Sequence, residues 1–215
     1  MNDFYQMCVT NNTDKCTHHG YHYFYPRFLD PLRNQSFNML EIGYHTGDSA
    51  RMWCDYFPNS KVFIMDIDHE ITFERYQVFK GDQSNLDDLV NVKNKIETAK
   101  FIIDDGSHHP YHQIQTFEYF FKNLLEDGGV YIIEDIETNY WRSDSEVYGY
   151  KIGYFNSIDY TSKYYIDKVN SEFSKIQNDL RVSSITYGQN CIIITKQTQE
   201  ESNYFNRNYR YDVFL

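Results

Sequence analysis

The chain has 215 residues, which is enough for a well-buried core, and we expect residues 1–215 to form a single domain. Its 20 basic and 31 acidic residues give a formal net charge of −11, which disfavours nucleic acid as a partner because a polyanion would be repelled. No apolar run approaches the roughly 20 residues that span a bilayer, and the first residues lack the features of a signal peptide. We therefore expect a cytoplasmic protein without a membrane span.

Residues 1–36 form an irregular, aromatic-rich segment, which we predict to cap the domain and contact substrate. From residue 37 onward, apolar runs alternate with helical periodicity, the pattern typical of βα units. A capping box at 84–87, Pro110 as a favoured first helical position and Gly128-Gly129 as a helix stop delimit the helices. The expected elements are strands at 37–42, 61–67, 76–79, 101–103 and 130–133, and helices at 49–57, from 84 onward and from 110 onward.

The C-terminal third contains a hairpin signal. Two β-rich runs at 182–187 and 191–195 are joined by Gly188-Gln189-Asn190, so one of these strands must run antiparallel. Residues 137–156 lack a clear period and predict a lid or substrate wall, followed by a helix over 157–173, while 197–215 predicts a polar tail. The predicted fold class is therefore α/β: a mostly parallel, seven-stranded sheet with an antiparallel C-terminal hairpin strand and helices on both faces.

The four cysteines, Cys8, Cys16, Cys54 and Cys191, lack the spacing of a disulfide framework. The last two lie in apolar periodic segments, which is typical of reduced thiols in a protein core. A zinc site would have to combine the first two with the histidines at positions 18, 19 and 22. We disfavour that site because C-x7-C-x-H-H matches none of the usual ligand spacings.

Acidic side chains follow two of the predicted buried strands. Asp104-Asp105 comes after the fourth strand, and Glu134-Asp135 comes after the fifth. Because the carboxyl ends of neighbouring parallel strands face one crevice, we expect Asp105, Glu134 and Asp135 to converge there, with His108 beside them. This arrangement predicts a metal site with a base attached. The alternative, a helix-capping role for Asp104 and Asp105, leaves the second acidic pair unexplained.

A turn that begins at Gly43 and ends at Gly47 joins the first predicted strand to its helix. Asp66 ends the second strand, where an acid fits a ribose diol. Nicotinamide and flavin dinucleotides need G-x-G-x-x-G for close approach to a pyrophosphate, but His45 stands where the middle glycine would be. S-adenosylmethionine has ribose and adenine without phosphates, and its carboxylate needs only helix-start N–H groups and a hydroxyl such as Ser49. The structural alternative, that the glycines only relieve crowding in the turn, stays open.

Several motifs together carry a resemblance to a known family. They are Leu40-Glu41-Ile42-Gly43, Ser49-Ala50-Arg51-Met52-Trp53, Gly81-Asp82-Gln83-Ser84, Asp104-Asp105-Gly106-Ser107-His108, and Ile133-Glu134-Asp135 with Tyr140-Trp141. On these motifs the chain resembles the metal-dependent macrolide-sugar O-methyltransferases of the mycinamicin and tylosin pathways and, more distantly, catechol O-methyltransferase. The likeness spans residues 10–141 and the terminal hairpin, and it implies a Rossmann-like class I methyltransferase fold.

The resemblance implies S-adenosylmethionine and Mg2+ as cofactors. The three converging acids would hold Mg2+, His108 would be the general base, and Tyr140 and Trp141 would contact substrate. Lys15 recurs in that family, but the sequence indicates no role for it. The implied cofactor-binding residues are Glu41, Gly43, Gly47 and Ser49 at the methionine half, His45 in the same turn, Asp66 at the ribose, and Asp82 and Gln83 at the adenine.

The expected function is therefore O-methylation of a sugar hydroxyl, on a deoxyhexose with a vicinal diol in a glycan or glycosylated product. The alternatives are a catechol-type or small-molecule O-methyltransferase, a metal-dependent phosphoesterase using the same acids, a non-catalytic glycan-binding module and, least favoured, a nicotinamide oxidoreductase. The expected partner is a sugar or glycan acceptor, and homo-oligomerisation or fusion to glycosyltransferase domains is compatible with this function.

Overall fold

The computed structural model of the chain describes residues 3–136, 146–147, 150–151 and 180–208. Eight of the described strands form one sheet in the order β3-β4-β2-β1-β5-β6-β10-β9. The strands are β1 Asn38–Ile42, β2 Lys61–Asp66, β3 Ile71–Thr72, β4 Tyr76–Lys80, β5 Ala99–Asp104, β6 Leu125–Glu134, β7 Glu146–Val147, β8 Tyr150–Lys151, β9 Val182–Gly188 and β10 Cys191–Lys196. The α-helices are α1 Asp3–Asn11, α2 Asp14–Thr17, α3 Pro26–Leu29, α4 Asp48–Tyr56, α5 Leu86–Ile96, α6 Pro110–Asn123 and α7 Gln199–Asn208.

The sheet is mostly parallel, which confirms the predicted fold class. β1 pairs in parallel with β2 and β5, β2 with β4, and β5 with β6. The C-terminal hairpin is confirmed as well, because β10 pairs antiparallel with both β6 and β9. The edge strand β3, which pairs antiparallel with β4, makes eight strands instead of the predicted seven. Its two residues are too few to show an alternating pattern.

Helices cover both faces of the sheet, so its central strands are apolar over most of their length. On one face Phe4 of α1 and Trp53 of α4 belong to a buried cluster with strand residues such as Ile103. On the other face Leu89 of α5 and Phe117 of α6 belong to a second buried cluster. This packing leaves the carboxyl ends of the parallel strands, where the acidic motifs lie, free to border a site.

The N-terminal segment is more regular than predicted. α1 buries Phe4 and Cys8, four residues apart on one face of the helix. α2 begins after Thr13, whose side chain accepts a hydrogen bond from the Lys15 N–H. These helices are only a few turns long, so their periodicity is hidden among the many aromatic residues.

Two element boundaries also differ from prediction. Gly128-Gly129 does not end α6, since the helix ends at Asn123 and β6 runs through both glycines. The predicted tail contains α7, which starts after Thr198. The Thr198 side chain accepts the Glu201 N–H, and the Glu201 carboxylate accepts the Thr198 N–H. This reciprocal pair is a capping box that the sequence analysis missed. The predicted helix at 157–173 lies outside the described residues, as does the predicted lid at 137–156 apart from residues 146–147 and 150–151, which form the antiparallel pair β7–β8.

Two of the cysteines are bonded to each other. A disulfide joins Cys8 and Cys16, which corrects the expectation that the cysteines are unpaired and removes two thiolates from the alternative zinc site. Cys54 and Cys191 are free and buried, as predicted. None of the helices in the described part of the chain is long and apolar enough to cross a membrane.

Candidate active site at the carboxyl edge of the sheet

A cleft of about 700 Å3 opens at the carboxyl ends of the parallel strands. It lies where the strand order reverses beside β1, which is where open α/β sheets bind ligands. Its volume is in the range of small-molecule sites. The lining residues include Asn12, Asp14, His18, His19, Gly43, His45, Ser49, Asp66, Asp82, Gln83, Asp105, His108, Glu134 and Asp135.

The turn after β1 touches the loop after β5. Gly43 has a φ of 98°, and a Cβ added to it would lie 2.2 Å from the carbonyl oxygen of Asp105. Only glycine permits this approach, so the need for glycine here is partly structural. Gly47, with a φ of 74°, precedes α4, and a Cβ there would meet the ring of Tyr44 at 2.7 Å.

Glu41 lies beneath this turn and is fully buried. It accepts hydrogen bonds from the Ser49 hydroxyl at 2.9 Å and from the Trp53 indole at 3.1 Å. Burial raises the pKa of Glu41 above its usual value. Of the predicted cofactor residues, Gly43, His45 and Ser49 line the cleft, whereas Glu41 and Gly47 are behind its wall.

Asp66, at the end of β2, lines the cleft. Its carboxylate accepts the Tyr44 N–H at 2.9 Å and the N–H groups of Asp68 and His69 at 2.9 and 3.0 Å. Burial opposes ionisation of Asp66, but these hydrogen bonds hold its pKa below the usual value. Asp66 therefore fixes the loop after β2 and stays charged beside the cleft.

Gln83 has a bracing role that the sequence did not suggest. Its amide nitrogen lies 3.2 Å from both carboxylate oxygens of Asp104, and its oxygen accepts the Ser107 N–H at 2.6 Å. Asp104 is fully buried, which raises its pKa to about 6. Asp104 thus organises the loop after β5 and does not line the cleft. Asp82 and Gln83 both line the cleft.

Asp105, His108 and Asp135 converge at this edge of the sheet. Each offers one ligand atom, and these atoms lie within 4.8 Å of one another, so they form a group that could hold a metal ion. The His108 Nε2 lies 3.6 Å from the Asp135 Oδ2. Both His108 and Asp135 have a positive φ, 55° and 54°, as does His45 at 46°. Such backbone conformations are uncommon and concentrate at functional sites.

Glu134 lies beside this group, but its oxygens are already engaged. Oε2 is 2.7 Å from the Lys15 Nζ, and Oε1 accepts the Tyr25 hydroxyl at 2.6 Å. Burial and the charge of Asp105 raise the pKa of Glu134 well above its usual value, against the opposing effect of Lys15. The sequence predicted Asp105, Glu134 and Asp135 as the ligand trio, whereas the structure brings His108 into the position next to the two aspartates.

Four residues of the N-terminal segment contact the acids, and we call them the N-terminal clasp: Lys15, His19, Tyr21 and Tyr25. The Lys15 Nζ also lies 2.7 Å from the Asp105 Oδ2. The Tyr21 hydroxyl donates to Asp135 at 3.1 Å, and the His19 Nδ1 is 3.5 Å from the same Asp135 oxygen. Sequence reasoning missed these contacts, as it missed the side chain of Asn190, which donates to Asp135 from the hairpin turn at 2.9 Å. The sequence did offer one indication of these contacts, because Lys15 is the single lysine in the aromatic-rich segment 1–36 of an acidic chain.

The predicted substrate residues Tyr140 and Trp141 lie outside the described residues.

The architecture itself is that of class I methyltransferases: a mostly parallel sheet, an antiparallel C-terminal hairpin and a cleft beside β1. No family model matches the chain.

Comparison with known proteins shows which methyltransferases the chain resembles in sequence. The chain is 31% identical over 144 residues to the 8-demethyl-8-alpha-L-rhamnosyl tetracenomycin-C 2'-O-methyltransferase of Streptomyces olivaceus, covering 63% of this chain and 38% of that protein. It is 35% identical over 127 residues to the mycinamicin VI 2''-O-methyltransferase of Micromonospora griseorubida, covering 54% and 31%. The chain thus spans under two fifths of the length of these curated relatives.

A solved structure shows the same relationship. The MycE methyltransferase from the mycinamycin biosynthetic pathway, in complex with Mg, SAH and mycinamycin VI, superposes with a TM-score of 0.78 at 25% identity. The match covers 93% of this chain and 55% of that one. These findings confirm the class I methyltransferase fold and the predicted resemblance to sugar O-methyltransferases.

Proposed function

We propose that the chain is the catalytic region of an S-adenosylmethionine- and Mg2+-dependent O-methyltransferase that acts on a sugar hydroxyl. The observation that carries this proposal is the convergence of Asp105, His108 and Asp135 at the mouth of a cleft built like those of class I methyltransferases. The names of the relatives supply the acceptor class, since they describe O-methylation of sugars on polyketide products.

The cleft fits S-adenosylmethionine better than a phosphorylated ligand. Its lining includes no lysine or arginine among the residues that the structure describes. A phosphoester would lack cationic side-chain partners there, which argues against a phosphoesterase. His45 in the turn after β1 argues against the pyrophosphate of a nicotinamide cofactor. In the proposal the β1–α4 turn with Gly43, His45 and Ser49 receives the methionine half. Asp66 faces the ribose, and Asp82 with Gln83 borders the adenine.

The acidic cluster fits one divalent cation. Glu41, Asp105 and Glu134 share a single buried ammonium, that of Lys15, and Asp135 lies within 4.8 Å of Asp105, so the formal charge is strongly negative. Mg2+ prefers carboxylate oxygens and keeps positions for water or substrate. Asp105, Glu134 and Asp135 would hold it, with Glu134 shared with Lys15.

When bound, S-adenosylmethionine supplies an electrophilic methyl group, and Mg2+ supplies positive charge that favours ionisation of the acceptor hydroxyl. His108 accepts the hydroxyl proton at Nε2, and Asp135, 3.6 Å from that atom, stabilises the resulting imidazolium. The walls of the cleft hold the acceptor oxygen and the methyl donor in line and limit access of water.

The acceptor side of the cleft is formed by the N-terminal segment. Asn12, Asp14, His18 and His19 of this segment line the cleft. These polar and aromatic side chains suit a sugar, which combines hydroxyl groups with apolar ring faces. We propose a deoxyhexose with a vicinal diol as the acceptor and Tyr140 and Trp141 as further contacts. We also propose that residues 1–215 form one domain and that the protein is cytoplasmic. Self-association or fusion to glycosyltransferase domains would be compatible with this function.

Calorimetry with S-adenosylhomocysteine, the demethylated product, tests the cofactor. We expect a dissociation constant on the order of 1–100 μM, because the nucleoside and amino-acid halves both have prepared surfaces in the cleft. NAD+ is the matched control ligand, since it shares the adenosine and adds a pyrophosphate. Binding of NAD+ in place of S-adenosylhomocysteine would contradict the proposal.

A further inference from the structure

Lys15 is the most unusual charged residue in the described part of the chain. Its side chain is 1% exposed, and its ammonium contacts three carboxylates: Asp105 and Glu134 at 2.7 Å and Glu41 at 3.5 Å. These acids come from three different strand ends, those of β1, β5 and β6. A single cation therefore joins the buried floor of the cofactor turn to the acids of the proposed metal site.

We infer that Lys15 is a positioning residue for the proposed reaction, whose ammonium holds Asp105 and Glu134 at the spacing that receives one divalent cation. This inference rests on the proposed function, because it assigns Lys15 a role toward the metal that this function requires. It goes further in giving the N-terminal clasp a part in building the metal site.

Electrostatics explains why a fixed cation is needed. Asp105, Glu134 and Asp135 lie close together at the edge of the core, where like charges repel strongly and an unpaired buried charge is costly. An ammonium that bridges two of these acids offsets that repulsion before a metal ion arrives. Lysine suits the position because its charge is compact and its three N–H donors can point to three different carboxylates.

The surrounding chain fixes the position of Lys15. The residue lies in α2, where the Thr13 side chain accepts its backbone N–H. On the far side of the acid, the Tyr25 hydroxyl holds the second oxygen of Glu134 at 2.6 Å. The ring of Tyr25 stacks on that of Tyr21, which stacks in turn on His19. Glu134 is thereby held from two sides by residues of one short segment.

Titration of the whole chain with Mn2+, followed by calorimetry and by the electron paramagnetic resonance of bound Mn2+, tests the inference. For Lys15→Met we expect the Mn2+ dissociation constant to rise about 10- to 100-fold, as when residues that orient metal ligands are removed. The affinity for S-adenosylhomocysteine should stay within about threefold, because Ser49 and Trp53 still hold Glu41. Lys196→Met is the matched control: this lysine is also buried, but it donates to the carbonyl oxygens of Phe121 and Leu125. It should lower the melting temperature without changing the Mn2+ affinity of the folded protein.

Tyr25→Phe is a second variant that keeps the charge and removes one hydroxyl from Glu134. We expect a weaker effect, a rise of about 2- to 10-fold in the Mn2+ dissociation constant, which decides the question if Lys15→Met does not fold. Unchanged Mn2+ affinity in the folded variants would overturn the inference, and so would a parallel loss of Mn2+ and S-adenosylhomocysteine affinity. Wild-type protein that binds neither probe would instead overturn the proposed function.

Discussion

Removal of divalent cations with EDTA is expected to abolish methyl transfer from S-adenosylmethionine to the proposed deoxyhexose acceptor, and excess Mg2+ should restore it. Asp135→Asn should produce a similar defect without chelation, lowering kcat/KM by at least about 100-fold, because it removes one ligand charge while keeping the side-chain shape. The asparagine oxygen in this variant would still accept the hydrogen bonds of Tyr21 and Asn190, so the loop should keep its conformation. A radiolabelled methyl-transfer assay at saturating cofactor measures both effects.

The control for this experiment is Asp87→Asn. Asp87 is exposed in the first turn of α5, so this substitution removes one negative charge at a position away from the cleft. We expect its kcat/KM to match that of the wild type. Methyl transfer that persists at full rate in EDTA, or an Asp135→Asn variant as active as the Asp87→Asn control, would contradict the metal-dependent mechanism.

Replacement of His108 with glutamine is expected to lower kcat by roughly 100- to 10,000-fold, the usual contribution of a positioned general base. KM for the acceptor should change little, since the proton is transferred only as the methyl group moves. His109→Gln is the matched control, because His109 is the next residue but does not line the cleft.

Mn2+ titration of the His108→Gln variant distinguishes between two roles of His108. The imidazole belongs to the group of side chains that could hold a metal, so it could act as a ligand instead of a base. If His108 acts as a base, its replacement should leave the Mn2+ dissociation constant within about threefold of the wild-type value, since carboxylates are the preferred ligands of Mg2+ and Mn2+. A large loss of Mn2+ affinity in His108→Gln, or unchanged kcat, would show that the base assignment is wrong.

The positions of the main strands and the converging acids could be predicted because both are encoded locally. A buried apolar run followed by an acid places that acid at a strand end, and two such runs in a parallel sheet bring their acids together. Asp105 and Asp135 are therefore found where the sequence analysis expected them. His108 follows from the same argument, since it lies only three residues beyond Asp105.

The N-terminal clasp could not be predicted because its partners are distant in the chain. Lys15 lies 90 positions from Asp105 and 119 from Glu134, and no periodicity connects them. The detailed role of Gln83 was also hidden, because its amide serves Asp104 and Ser107 through loop contacts that only the folded chain creates. Short elements such as α2 and β3 escape pattern analysis because they do not complete one hydrophobic period.

The central claim is that one divalent cation sits between the ends of β5 and β6. Crystals grown with Mn2+ and S-adenosylhomocysteine, with diffraction recorded near the manganese absorption edge, would locate that ion directly. We predict one anomalous peak that lies roughly 2.1 Å from carboxylate oxygens of Asp105 and Asp135. This is the ligand distance typical of small divalent cations. A peak bound by other residues, or no peak at this edge of the sheet while S-adenosylhomocysteine occupies the cleft, would contradict the account.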